Sequence, residues 1–192
     1  MKQEIFDKVA VMCKFFLITA LLAGFMCGIT IDKAMAFTAK KIDADVDASL
    51  ELFADIKGAE EVIKRAEGIL VFPKVFKAGL GIGGEYGEGA LRIKGKTVDY
   101  YNTAAASIGF QFGAQKKTII IVFIQKEALE KFRESSGWKI GVDASVAVIA
   151  VGAGGAIDTA SINEPIVAFV FDQKGLMYNI TLEGAKITKI KE

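Results

Sequence analysis

The chain has 192 residues, 52% of them hydrophobic, a formal net charge of +1 and no histidine. That length and composition predict one domain with a sizeable core, and the near-neutral charge argues against nucleic acid, whose binding proteins carry a basic excess. Without histidine the chain lacks the commonest general base and transition-metal ligand, and no cofactor is expected.

At the N-terminus, Lys2, Lys8 and Lys14 precede an apolar run from Phe15 to Ile31, and Ala34-Met35-Ala36 follows. This is the pattern of a charged n-region, an h-region and a small-residue cleavage site. The expected organisation is a signal peptide over 1–36, a helical segment over 37–67 and a β-rich core over 68–192, the last two forming a single domain. Export to the periplasm or cell envelope follows. Retention of the leader as a membrane anchor is the alternative, because an apolar run of this length lies at the short edge of a spanning helix. Both cysteines, Cys13 and Cys27, lie in the leader. Phe25 and Met26 stand where a lipidation motif needs small residues, so secretion ranks above lipidation. The rest of the chain has no cysteine for a disulfide or thiol chemistry. The leader's four lysines and three acidic residues leave that remainder with no net charge.

Beyond the leader, Ile42, Val46, Leu50 and Phe53 form one helical stripe, with Asp43, Asp45, Asp47 and Glu51 on other faces. Gly58 interrupts, and a second short helix is predicted over Glu60–Glu67 with Val62, Ile63 and Ala66 inward. Gly68 fits its stop. The period then changes to two. Strands are predicted over Ile69–Phe72, Lys77–Tyr86, Ala90–Ile93, Thr97–Asn102, Ala105–Ala114 and Thr118–Ile124. Lys94-Gly95 is a hairpin signal and Lys116-Lys117 the next turn. A helix over Lys126–Ser135 carries Leu129 and Phe132 on one side. Alternation over Ile140–Gly152, Ala153–Thr159, Ile166–Phe171, Leu176–Thr181 and Ala185–Lys191 predicts the remaining strands, with Asp172–Gly175 as a turn. The fold class is α+β: a curved, mostly antiparallel sheet or small barrel, an N-terminal helical segment and one inserted helix. Strands this closely spaced lack room for repeated βαβ crossovers.

Six glycines fall between Gly79 and Gly89. Gly79-Leu80-Gly81-Ile82-Gly83-Gly84 satisfies G-x-G-x-x-G, but a dinucleotide site needs a helix after it. Here Glu85-Tyr86-Gly87-Glu88-Gly89 and another strand follow. The stripe therefore reads as sheet architecture, one strand face left bare for close approach or sharp bending. It recurs at Gly109 and Gly113, and at Gly152, Gly154 and Gly155.

Glu85 and Glu88 are the best paired carboxylates for glycoside-type chemistry, although such pairs are far more often solvated. Asp43, Asp45 and Asp47 lack the glycine and distal glutamate of a calcium loop. Phe72-Pro73-Lys74-Val75-Phe76-Lys77 combines aromatics with lysines. In an extended segment Phe72, Lys74 and Phe76 share a face. With Lys57, Lys64 and Arg65 nearby, such a surface suits an anionic headgroup at about 1 kcal/mol per basic residue. The bland reading, aromatics in the core and lysines in water, competes with it.

The run GILVFPKVFKAGLGIGGEYGEGA (Gly68–Ala90) resembles the signature of the SYLF domain family. The resemblance continues through KTVDYYNTAAASIGFQFG (Lys96–Gly113), FRESSGWKIGVDASVAVIAVGA (Phe132–Ala153) and VFDQKGLMYNITLEG (Val170–Gly184), and spans about Asp55 to Ile190. It implies binding rather than catalysis. Eukaryotic relatives bind phosphoinositides and, in fungi, actin filaments, with lipid contact through an N-terminal amphipathic helix and basic residues. The leader resembles those of exported bacterial members, which makes anionic phospholipid of the envelope the expected partner. The candidate lipid-binding residues are Lys64, Arg65, Lys74 and Lys77, the last two within the resembling motif. The alternative is a structural or protein-interaction module of the envelope with a protein partner and no lipid ligand.

Overall fold

The computed structural model describes residues 38–152, 155–159, 162–175, 182 and 184–190, without the side chains of 81, 107–112 and 175. The leader with Cys13 and Cys27, Gly154 and the strand expected over 176–181 lie outside the described residues. In chain order come helix α1 (38–54), α2 (Ala59–Lys64), β1 (Gly68–Ile93), β2 (Lys96–Phe123), α3 (Lys126–Glu134), β3 (Trp138–Lys139), β4 (Ala147–Ala150), β5 (Ile166–Gly175) and β6 (Lys186–Lys189). The class is α+β with a curved mixed sheet, as expected.

β2 organises the sheet. One edge pairs along its length with β1, and the other takes β6 at Tyr101–Ala104 and β5 at Gln115–Phe123. β3 adds to β6 and β4 to β5. All these pairings are antiparallel except β4 with β5. Lys94 and Gly95, at φ 51° and 77°, close the β1–β2 hairpin as a two-residue turn with both residues left-handed.

Six strands predicted from the alternation are two. Ile69–Phe72, Lys77–Tyr86 and Ala90–Ile93 run together as β1, and the three segments from Thr97 to Ile124 as β2. Lys116-Lys117 is not a turn but part of β2, and Asp172–Gly175 continues β5. The run 140–152 yields only β4 as regular strand, and residues 155–159 form no strand: Gly155 N–H turns back onto Gly152 O, and Ala156 makes a single bridge to Lys57.

β1 is folded over on itself. A straight strand would separate Val71 from Gly89 by about 60 Å. Instead a Cβ added to Gly89 would lie 1.9 Å from Val71 O, and one on Gly87 3.0 Å from Lys74 O. The corner lies at 79–83, where a Cβ on Gly79 would meet Gly83 Cα at 2.6 Å. There the register jumps, Leu80 opposite Phe112 and Ile82 opposite Ile108. Gly113, opposite Gly79, takes φ 137°, which favours glycine. Bare glycine faces thus let one half of β1 lie against the backbone of the other.

Alternation sorts the apolar residues into two cores. Leu70, Phe72, Leu91, Ile119, Ile121, Ala168 and Val170 face an interior closed by α3. There Phe132 meets Trp138 edge-on, with ring centroids 5.4 Å apart, and lies 5.0 Å from Tyr101. Val71, Ile120, Val122, Val167 and Phe169 point the other way, onto Val46 and Phe53 of α1 and Val62 of α2. Strands buried on both faces read as continuous apolar runs, which is why 118–124 and 166–171 were legible as strands. The aspartates of α1 clasp the hairpin. Asp45 holds Lys74 at 2.6 Å and Asp47 holds Arg92 at 2.6 Å, while Asp43 accepts from Thr97 and Tyr100.

Gly89→Ala should cost about 3 kcal/mol or more, because a backbone carbonyl must move. Gly84→Ala, with nothing within 4 Å of the added carbon, should be neutral or stabilise by up to about 1 kcal/mol. Urea denaturation of both variants checks the pair. Burial, aided by Asp99 and opposed by Arg133, pushes the Tyr101 hydroxyl up to about 12 from 10.0. A raised folded value means that this stability is complete below pH 10 and lost as pH climbs through 12. The hydroxyl has no partner among the described residues. Tyr101→Phe should therefore raise Tm at neutral pH and flatten the alkaline fall in Tm between pH 10 and 12.

Candidate functional site

The four basic residues picked out by sequence do not form one surface. Lys64 is exposed and pairs with Glu60 at 3.3 Å. Arg65 donates to Ile162 O at 3.4 Å. Lys74, half-exposed, is held by Asp45. Lys77 is only 5% exposed. The expected shared face of Phe72, Lys74 and Phe76 is broken by an irregularity between Phe72 and Val75, at Pro73. Proline cannot donate to the ladder, and the alternation slips there. Phe72 and Val75 are both fully buried, and Phe76 turns outward.

From Val75 to Leu80 the register with β2 is regular, so the two faces near the corner can be assigned by pairing. Directly opposite residues share a face. On the outer face Phe76, Lys116 of β2 and Lys174 of β5 form one row across three strands. Leu80 and Ile82 continue this face over the corner. Phe76 is 58% exposed and Leu80 and Ile82 are each 73% exposed. With Ala78, Gly79 and Gly113, Leu80 and Ile82 border a shallow apolar hollow. Tyr86, also outward, donates to Glu88 Oε1 at 2.8 Å. Its hydroxyl is pushed up by partial burial and by that carboxylate.

The inner face is different. Lys77 sits opposite Gln115, and Lys117 opposite Val75, all enclosed. Glu85, on the second half of β1 between buried Gly83 and Gly87, reaches across the fold to within 3.0 Å of Lys117 Nζ. Lys117 is fully buried and the Glu85 side chain 6% exposed. Neither amide atom of Gln115 has a partner among the described residues. Sequence reasoning missed Lys117, Gln115, Leu80 and Ile82. The signal for the first two was the lysine and glutamine inside an otherwise apolar strand, and for the last two the large apolar residues facing away from the glycine stripe.

The carboxylate pair weighed against the solvated reading is split, Glu85 inward and Glu88 outward, so the two acids do not converge on a common substrate position. Among the described residues no group of acids, cysteines or histidines could hold a metal ion. No described helix is long and apolar enough to cross a membrane.

Breaking the buried ion pair on one side leaves an uncompensated charge. Lys117→Met or Glu85→Gln alone should cost about 3–5 kcal/mol. The double variant should recover much of that loss, giving a coupling measurable in a denaturation double-mutant cycle. Additive losses would show that the two groups do not interact.

Residues 104–192 match the model of the family described as Ysc84, Las17-binding protein actin regulator. No curated protein matches the chain. The matched span takes in the later part of β2, with Gln115 and Lys117, and every element after it. Residues 104–192 thus resemble a Ysc84-family domain, which is consistent with a protein of the SYLF domain family.

Proposed function

We propose that this protein is a non-enzymatic binding domain that attaches to lipid or a membrane surface, with anionic phospholipid of the bacterial cell envelope as its partner. The observation that carries this reading is the outer face of the corner. Phe76, Leu80 and Ile82 are exposed together, with Lys116 and Lys174 in register beside Phe76. Each large apolar side chain withdrawn from water contributes roughly 1.5–3 kcal/mol, and each lysine near an anionic surface about 1 kcal/mol. That sum suits reversible surface attachment, comparable to one or two weak anchoring signals, rather than permanent insertion. The leader pattern supports export, and Lys64, Arg65 and Lys74 are further contacts in this proposal. A second reading, a protein-interaction module without a lipid ligand, is favoured by the family's description as a Las17-binding actin regulator.

Flotation with vesicles separates the two. Both buried cores lie between Ile42 and Ile187, so the chain from Phe37 onward is the material for the test. It should float with anionic vesicles and release as salt rises. Leu80→Asp with Ile82→Asp should abolish flotation. Charge reversal of Lys116 and Lys174 should weaken it about tenfold or more, equivalent to at least about 1.4 kcal/mol. No flotation by the parent chain at low salt would falsify the lipid reading and leave the protein-interaction one.

A further inference from the structure

The inner face of the same corner has an unbalanced charge. Lys77, Lys117 and Glu85 are 5%, 0% and 7% exposed, and Gln115 is 3% exposed. The exposed positions Phe76, Ala78 and Ala114 between and beside them confirm that Lys77, Gln115 and Lys117 share the inward face. This face therefore carries two lysines and one glutamate. Glu85 lies against Lys117, whereas Lys77 has no ion-pair partner among the described residues. An enclosed charge without a counter-charge is strongly disfavoured, and a buried amide with both atoms unmet adds to the cost. The next cross-strand pair on this face is Gly79 with Gly113, and neither carries a side chain. Lys77 and Glu85 keep a small exposed edge, which places the cluster next to solvent.

We propose that this inner face, formed by Lys77, Gln115, Lys117 and Glu85, is a seat for one singly charged phosphate-type oxyanion, either free or as the phosphodiester of a lipid headgroup. Charge sets the first condition: one excess cation takes one negative charge. Donor count sets the second. Each lysine carries three N–H donors and Gln115 two. A tetrahedral oxyanion, with acceptors in several directions, meets more of them than a planar carboxylate does. Glu85 orients Lys117 and, being itself negative, keeps a doubly charged anion out. In its lipid form the proposal rests on the membrane reading above; in its free-anion form it does not.

The test is thermal unfolding of the full chain in sodium phosphate against sodium chloride at equal ionic strength, together with vesicle binding by the same variants. Inorganic phosphate should raise Tm saturably by about 2–4 °C. Lys77→Met and Gln115→Leu remove buried polar groups, so each should hold or raise Tm in chloride while losing the phosphate response. Glu85 and Lys117 are left unchanged, so the variants keep the ion pair that the fold needs. Loss of at least tenfold in affinity for phosphatidylglycerol vesicles by Lys77→Met, with the phosphate shift retained in Leu80→Asp, supports a headgroup in the seat. Unchanged vesicle binding by Lys77→Met, with its phosphate shift lost, supports free phosphate there. Absence of a phosphate-specific shift in the parent chain, or a shift that survives both Lys77→Met and Gln115→Leu, overturns the proposal. A parent chain that responds to phosphate but binds no vesicle overturns the membrane reading alone.

Discussion

The structure depends on one close approach, the backbone of Val71–Val75 against Gly87 and Gly89. The atoms involved leave no room for a Cβ at Gly89, so the two halves of β1 can lie together only if that face is glycine. The rest of the arrangement follows from it. Folding β1 over carries β2 with it, because the two pair along almost their whole length. The first half of β2 then receives β6 and the second half β5, which closes the sheet around the α3 side of the core. The cost of ordering so many glycines is offset by two cores that bury both faces of Leu70–Phe72 and Ile119–Phe123.

Electrostatics divides the molecule by depth. The pairs that α1 makes with Lys74 and Arg92 are partly exposed. In that setting ion pairs contribute little stability, and they act mainly to fix where the helix lies on the hairpin. The Asp43, Asp45 and Asp47 row that superficially resembled a calcium loop is this clasp. Glu85 and Lys117 are enclosed, where desolvation is expensive and a hydrophobic pair would usually be at least as stable. A structural role alone gives little reason for a lysine–glutamate pair, a second lysine and an unmet glutamine at the fold of a hairpin.

Much of this architecture was legible in the sequence, for identifiable reasons. The 3.6 period of Ile42, Val46 and Phe53 marked α1, the apolar run after Thr118 marked a strand buried on both faces, and Lys94-Gly95 marked the hairpin. Three things were not legible. The bulge at Pro73 moves Phe76 outward and Lys77 inward, and no periodicity rule places a one-residue slip in advance. Short alternating runs separated by glycine look like separate strands, although Gly79–Gly83 bends one strand instead of ending it. And 140–152 alternates as well as any strand yet forms one only at Ala147–Ala150, because an edge needs a partner, here β5, as well as a pattern. The candidate site suffered most. Its residues come from β1, β2 and β5; only the pairing register brings Lys174 beside Lys116, and only the folding-over of β1 brings Glu85 to Lys117.

The corner's two faces are bound by the pleat. Successive residues point to opposite sides, so the register that encloses Lys77 and Glu85 also turns Phe76, Leu80 and Ile82 outward. Single exposed apolar residues are ordinary on a protein surface. Three large ones gathered at one bend, in positions where the core places no demand for apolar character, mark a surface that something covers. Lysines in the adjoining row favour a covering that is negatively charged, and the excess positive charge inside favours the same sign. The inner and outer faces thus point to one class of partner from independent observations, one a row of exposed side chains and the other an imbalance of buried ones. A protein partner would account for the outer row, but it leaves the buried lysine and glutamine without a counterpart. Under the proposed membrane reading, an anion with an apolar tail would account for both.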